Sequence, residues 1–595
     1  MFNKIKSLLW KRKYIFLFIG LFLIVVTQRF LNERQNGLVN SVSSDGLGYY
    51  CYLPAAIIYQ DFTYSFYYKD ENKIKPFYRP YISPYKDRGV NKYYCGSSIC
   101  FLPFFLTGIV ISAIAGTEIN GYTDTFLMLI SIGALIYYLL SVFMLTKIGR
   151  FFGVPEKISL LTCLMFFFST NQFQYTIQEP SMSHAYSFFA VSLFFYLYIK
   201  LLEHTTNKNI FLLGLALGLV ALVRPVNVVV VLFTPFFSES IRDYILFLKT
   251  IFVHHIKGLL LFILAMVAAV ALQFTFYYLQ TGDFFIVSYE GETFNFAHPE
   301  FFNVLFSYRK GLFIYVPILL AALLFILFSK NNWYKKIIFF ITFTMFLYIT
   351  ASWWCWWYGG GLSIRPIVDI LPVVVIITML FVSKLTLPKR KTVFAICIPF
   401  LFMSQLTAYQ YSNALLDSSN MTQEKFWDLF LETDLATINE KKIARITSGK
   451  AIVKMELMNY EDGEGDNRIT NEGYHSSKSS IVGEKNYYSK GFCFPLKDLG
   501  INDNFYIVIE CMAKATKEGK DLGLVASVDE DGACKQWFVV FKNQFNDNSE
   551  GWAKMTQVIE IDKYTINEKS VLKIFANTQK GNNLVDDLKY TIVRK

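Results

Sequence analysis

About eleven apolar runs fill this 595-residue chain before residue 411, many near the 20 or so residues that an α-helix needs to cross a bilayer. They cover Tyr14 to Leu31, Asp124 to Thr146, Lys157 to Thr170, Ser183 to Leu202, Asn209 to Val223, Val226 to Phe237, Lys257 to Leu279, Gly311 to Phe328, Lys336 to Ala351, Pro366 to Val382 and Thr392 to Tyr409. A hydrophobic share of 54% against 17% charged residues excludes an ordinary soluble enzyme. The predicted fold class is therefore mainly α, a polytopic transmembrane helical bundle. Its net charge of +11 comes largely from loops, so it reports orientation in the bilayer and gives no reason to expect nucleic acid.

The basic clusters assign the sides. The N-terminus, Lys147/Arg150/Lys157, Lys208, Arg242/Lys249/Lys257, Lys330/Lys335/Lys336 and Lys384/Lys389/Arg390/Lys391 fall on one face, which is expected to be cytoplasmic. Two segments decide whether that pattern holds. Ile99 to Ala115 is apolar enough to span, but a crossing there would invert every later basic loop, so it is expected as a re-entrant or in-plane helix on the outer face. Asn209 to Phe237 is broken by Arg224-Pro225 and reads as two short helices meeting near Arg224.

Beyond Tyr411 the composition changes. A polar connector, helical near Thr422 to Leu435, leads to alternating runs such as Phe505 to Ile509, Gly523 to Val528 and Trp537 to Phe541 between Asp/Gly/Asn turns. These read as antiparallel strands of a small β-sandwich. The expected domains are residues 1–410 (with 32–123 as a first outer loop carrying juxtamembrane helices), a connector at 411–444, and an extracytoplasmic sandwich at 445–595. Nine cysteines show no CxxC pairing, which argues against a zinc cluster and leaves an isolated disulfide open.

With this topology the conspicuous polar groups converge on the outer face: Asp45, Glu179, His184, Arg224, Asp283, Glu290, Glu292, His298, Arg309, Lys310 and Arg365. Ionisable groups at membrane depth are costly and generally face protein or a water-filled cavity. Glu179 and His184 flank a proline at the mouth of a span, where they could hold a divalent cation, shuttle protons or position a substrate. The run Ser352-Trp353-Trp354-Cys355-Trp356-Trp357-Tyr358-Gly359-Gly360-Gly361 offers aromatic faces to a sugar ring, although an interfacial belt explains it nearly as well. The loop Thr281 to Lys310, with Tyr289, Glu290, Glu292, His298 and Arg309, is long enough to act as a cover.

An acidic residue soon after the first span, in Ser43-Ser44-Asp45-Gly46-Leu47-Gly48-Tyr49-Tyr50, is followed by aromatic and Pro/Ala-containing helices. Together with Tyr93-Tyr94-Cys95-Gly96 before a Pro103-containing helix and the Leu222-Val223-Arg224-Pro225 break, this layout resembles the GT-C polytopic glycosyltransferases. It is most similar to their protein mannosyltransferase and lipid A aminoarabinose transferase branches. Many members carry an acidic pair where this chain has Asp45-Gly46, and a His-Pro-Pro element common in the second juxtamembrane helix is missing. The resemblance implies transfer of a sugar from a polyprenyl-phosphate carrier to a periplasmic glycan, lipid or protein acceptor, in a bacterial inner membrane. Asp45 would be the general base, and Arg224, Arg309 and Arg365 would meet the donor phosphate. Tyr49, Tyr50, Glu179, His184, Glu290, His298, Trp356, Trp357 and Tyr358 would contact substrate. The competing readings are a lipid-linked sugar transporter or flippase, which needs a polar path through the inner halves of the spans, and a non-catalytic protein whose β-sandwich binds glycans.

Overall fold

The computed structural model describes residues 13–27, 41–69, 74, 78–289, 291–330, 332–448, 450–461, 466, 468–474, 477–482, 487–501, 503–514, 522–541, 551–561, 567–578 and 583–595. The chain divides into two compact units, Met1–Met421 and Thr422–Lys595.

The first unit is helical. In chain order it contains α1 (Lys13–Val26), α2 (Asp45–Tyr50), α3 (Gly96–Ala115), α4 (Asp124–Phe151), α5 (Glu156–Ser169), α6 (Ser183–Glu203), α7 (Asn207–Val223), a 3₁₀ helix (Pro225–Phe237), α8 (Ile241–His254), α9 (Ile256–Thr281), α10 (Pro317–Phe328), α11 (Trp333–Ala351), α12 (Ile367–Ser383) and α13 (Leu387–Ser412). Among the described residues α3, α4, α6, α9, α11 and α13 are long and apolar enough to cross a membrane, and α1, α7, the 3₁₀ helix, α10 and α12 are shorter apolar helices. Among the described residues each apolar run read from the sequence is mainly helical, a state in which a segment satisfies its own backbone hydrogen bonds in lipid.

Contacts sort the helix ends into two groups. At the basic end Lys13 pairs with Glu156 at 3.0 Å and Tyr14 bonds Thr146 at 2.9 Å. Lys335 reaches the Phe236 carbonyl at 3.2 Å there, and Arg390 donates to the Val382 carbonyl at 3.2 Å. The opposite end gathers Asp45, Glu179, His184, Arg224 and Arg365. Arg224 is extended between α7 and the Pro-started 3₁₀ helix, so the chain turns there. Asn227 beside Ser187 lies at the site end, while Phe237 against Tyr198 lies towards the basic end. The two segments therefore form a hairpin with Arg224 at its tip.

α3 begins at the site end. A Cβ on Gly96 would fall 2.3 Å from the Leu222 carbonyl carbon and the Val223 nitrogen, so only glycine lets this helix start against the end of α7. Phe101 packs edge-on to Tyr186 at 4.8 Å, and Gly108 faces Phe126 in the first turn of α4. These partners keep α3 beside the first half of α4 and away from the basic end. The first loop carries its own aromatic core: Tyr50, Tyr64, Phe66, Tyr67, Phe101, Phe105 and Tyr122 are all buried. Fully burying each large apolar side chain contributes about 1.5–3 kcal/mol.

One element was not read from the sequence. The basic stretch after Ser240 is helix α8, started by the Ser240 hydroxyl accepting from the Asp243 amide. Ile241, Ile245, Leu246, Phe252 and Val253 are exposed on it alongside Arg242 and Lys249, the pattern of a helix that lies along a membrane surface.

The second unit starts with helices Gln423–Leu429 and Leu435–Thr447, tied together by Arg445 on Asp428 at 2.7 Å. Among the described residues ten strands follow: β1 (Ile452–Met458), β2 (Ile469–Thr470), β3 (Ser479–Val482), β4 (Phe492–Pro495), β5 (Phe505–Lys514), β6 (Gly523–Glu530), β7 (Ala533–Phe541), β8 (Trp552–Ile561), β9 (Val571–Asn577) and β10 (Asn583–Arg594). One antiparallel sheet runs β8-β5-β10-β3-β2 with β1 also on β10, and the other runs β4-β9-β6-β7. Their facing sides share one core, with Ile507, Ile509 and Ile592 from the first sheet and Leu524, Ala526 and Ile574 from the second. All nine cysteines are free, so no disulfide is formed.

Candidate functional site

Asp45 opens α2, where its carboxylate is shared between two groups. Arg365 approaches one oxygen at 2.6 Å and the Tyr93 hydroxyl donates to the other at 2.8 Å. The Asp45 side chain is 24% exposed and that of Arg365 is 15% exposed, so the pair is reachable yet largely desolvated. Burial pushes the Asp45 pKa up, but the Arg365 charge and the Tyr93 hydrogen bond outweigh it and hold the carboxyl below its usual range. Asp45 is therefore ionised near neutral pH. Its place depends on Gly46: a Cβ there would sit 1.9 Å from the Ser181 hydroxyl, so α2 can lie against the segment before α6 only with glycine.

Arg365 is set by the loop before α12. Asn171 donates to the Leu362 and Ile364 carbonyls at 3.2 and 3.4 Å, the Leu362 amide donates to the Tyr175 hydroxyl at 3.1 Å, and the Lys310 ammonium donates to the Gly361 carbonyl. Gly361 has φ of 146° and its missing Cβ leaves room for Tyr175, which accounts for glycine at that position.

A second acid–guanidinium pair lies beside the first. Asp369, one turn beyond Arg365, receives Arg224 Nε at 2.9 Å on one oxygen and faces His184 Nδ1 at 2.9 Å with the other. Both Asp369 and His184 are buried. Arg224 also donates to the Ser183 hydroxyl at 3.3 Å. Tyr49 joins the two pairs: its hydroxyl interacts with Ser183, and its ring packs edge-on against Tyr93 at 4.9 Å. Asp369 was passed over in the sequence because it falls inside the run Pro366 to Val382. A single acid in an otherwise apolar span is costly, and that was the available signal.

A cavity of about 330 Å³ opens next to the Asp45 pair, lined by Ser43, Ser44, Glu179, Gly360, Arg365 and Tyr411 among others. Burial raises the Glu179 pKa, offset in part by hydrogen bonds from Tyr411 and Gln174. Burial and the Arg365 charge depress Lys310 from 10.5 to about 7. Glu179 and His184, read together as a cation or proton pair, have separate partners here. Among the described residues no group of three or more His, Cys, Asp or Glu side chains is placed to hold a metal ion.

Several sequence readings are redirected by the structure. Tyr50 belongs to the aromatic core and not to the site, with its hydroxyl on the Gly121 carbonyl at 2.7 Å. Arg309 lies 3.7 Å over the Trp357 ring and bonds Ser419 and Asn420, so its guanidinium braces the 417–420 segment. Trp357 accordingly has one face covered, with Trp356 edge-on to it at 5.8 Å. Tyr358 does face the site, its hydroxyl on the Thr350 carbonyl at 3.0 Å and within the fields of Arg224, Asp369 and Arg365. His298 is exposed, and its amide bonds Asn295 within the loop. Glu290 lies outside the described residues. The loop around it is anchored to the first loop by Lys92 on Glu292 at 2.5 Å and Lys86 on Asp283 at 2.6 Å.

No family model matches the chain, and no curated protein matches it. Among solved structures it is similar to the arabinosyltransferase EmbB from Mycobacterium smegmatis, determined by single-particle cryo-EM, at 10% identity over 79% of this chain and with a TM-score of 0.25. The chain spans 57% of the length of that protein.

Proposed function

We propose that the first unit is a membrane glycosyltransferase that moves a sugar from a polyprenyl-phosphate carrier to an acceptor on the face opposite the basic loops. The observation that carries this reading is the Asp45 carboxylate, held ionised between Arg365 and Tyr93 beside a polar cavity at one end of an apolar helical bundle. In the reaction an acceptor hydroxyl oxygen bonds to the anomeric carbon, and the bond from that carbon to the phosphate oxygen breaks with its electron pair leaving on the phosphate. Asp45 takes the hydroxyl proton. Arg365 and Arg224 receive the phosphate, since guanidinium groups bind phosphate oxygens in a fork and stay charged. Arg309 is not assigned to the phosphate, because Trp357, Ser419 and Asn420 occupy it.

The Asp45–Arg365 pair gives this scheme an order of events. An arriving phosphate competes for Arg365 and draws it from Asp45, so the carboxylate regains basicity when the donor is in place. Tyr49, Tyr358, Glu179 and His184 supply the polar walls for sugar and acceptor. The face is read as periplasmic in a bacterial inner membrane, and the C-terminal β domain as extracytoplasmic. The test is release of polyprenyl phosphate by the purified protein in detergent or nanodiscs, from a panel of polyprenyl-phosphate sugars with mixed glycan and lipid acceptors. Release that depends on both donor and protein supports the reading, and none from any donor in the panel overturns it.

A further inference from the structure

Asp369 faces His184 with one oxygen and forms an ion pair with Arg224 through the other. A carboxylate accepts hydrogen bonds and does not donate, so the hydrogen in its 2.9 Å contact with His184 sits on Nδ1. In the neutral imidazole Nε2 then carries a lone pair, and this atom is buried with no hydrogen-bond partner among the described residues. A buried acceptor left unsatisfied costs about 1–3 kcal/mol, which points to a ligand donor at this position. On the other oxygen, Arg224 Nε forms an ion pair with Asp369 at 2.9 Å and another guanidinium nitrogen donates to the Ser183 hydroxyl at 3.3 Å, while the side chain remains 21% exposed. One carboxylate thus orients an acceptor and a cation side by side.

We propose that Asp369 is a positioning residue that aims Arg224 at the donor's phosphate and His184 Nε2 at a hydroxyl of the donor's sugar. This rests on the donor reading given above. The chemistry separates the two contacts: a phosphodiester oxygen carries no proton to give to Nε2, whereas a sugar hydroxyl does, and the guanidinium suits the anion. Asp369 touches neither ligand directly, so its effect passes through Arg224 and His184 and vanishes when they are absent.

The experiment measures dissociation constants of polyprenyl phosphate and of a polyprenyl-phosphate sugar for the purified full chain. Asp369→Asn is expected to weaken polyprenyl phosphate about tenfold, the scale of one charge-assisted contact, and to erase the preference for the sugar-bearing carrier over the bare phosphate. Arg224→Ala reproduces only the phosphate loss, His184→Ala only the lost preference, and Asp369→Asn adds nothing to the Arg224→Ala and His184→Ala double variant. Wild-type affinities in Asp369→Asn, or a further loss on top of the double variant, overturn the assignment. If Asp369→Asn does not fold, the Arg224→Ala and His184→Ala variants decide in its place: an unchanged affinity for polyprenyl phosphate in the first, or an unchanged sugar preference in the second, overturns the assignment. A wild-type chain that binds no polyprenyl phosphate at all overturns the donor reading itself, a result distinct from binding that Asp369→Asn leaves unaltered.

Discussion

Replacing Asp45 by Asn removes the charge and the basicity and keeps the size, the Tyr93 hydrogen bond and the fit of α2 beside Ser181. Loss of a general base typically lowers the rate about a hundredfold to ten-thousandfold, or about 2.7–5.4 kcal/mol at roughly 1.36 kcal/mol per decade. The donor should respond in the opposite direction. Arg365 lies 2.6 Å from Asp45 with both side chains mostly buried, and unit charges about 4 Å apart attract by about 4 kcal/mol at an effective dielectric near 20, before desolvation is subtracted. Freed from that partner, Arg365 has a charge-assisted bond of about 1.5–3 kcal/mol to offer a phosphate, so donor affinity should hold or rise about tenfold. The assay is single-turnover transfer with a polyprenyl-phosphate sugar, with donor dissociation constants and thermal unfolding measured on the same preparations. Turnover within about twofold of wild type would refute the base assignment and return attention to Glu179. Loss of turnover with weakened donor binding would refute the competition between Asp45 and the phosphate for Arg365.

Three further outcomes follow from the geometry. Gly46→Ala drives a methyl into Ser181 and should cost about 1–3 kcal/mol of stability together with activity, while adding Ser181→Gly restores both; an additive loss in the double variant, read by thermal unfolding, would contradict the contact. The folded pKa of Lys310, about 7, lies below its ordinary 10.5, so the unfolded chain binds more protons between these values and stability from this group rises with pH across that window. Wild type should therefore gain on Lys310→Met in thermal unfolding between pH 7 and pH 9, and parallel curves would refute the buried amine. For sidedness, with Cys493 and Cys534 replaced, a cysteine at exposed His298 should react with an impermeant reagent on intact cells while one at Lys389 stays unlabelled; the reverse pattern would invert the proposed topology.

The helices were legible because length and hydropathy are local properties, and the hairpin at Arg224 because proline interrupts a helix wherever it stands. Asp45, His184, Arg224 and Arg365 stood out as charges in apolar surroundings, and they do meet at one end. Asp369 carries the same signal, one acid among sixteen uncharged residues in Ile367–Ser383, but an average over the span hides it. Tyr50 was placed in the site beside Tyr49, but successive residues of a helix point about 100° apart, so when Tyr49 faces Ser183 its neighbour turns into the core. The contacts of Arg309 are hidden in the sequence for a different reason. Its partners Ser419 and Asn420 lie 110 and 111 residues away, beyond the last span, and no local pattern links them.

The charge balance of the site bears on why these groups tolerate their surroundings. Asp45 with Arg365 and Asp369 with Arg224 form two pairs, each close to neutral, so neither guanidinium is left as an uncompensated charge in a poorly solvated place. The pairs differ in access. Asp369 is 1% exposed and holds His184 as well as Arg224, whereas Asp45 is 24% exposed and its partner Arg365 lines the cavity. A phosphate entering that cavity meets Arg365, whose partner can be re-solvated, while the partner of Arg224 cannot. Under the proposed reaction, Arg365 is then the group that moves and Arg224 the group that stays. The base is released by the same event that delivers the leaving group, and the fixed pair keeps the phosphate aligned while the bond to the sugar breaks.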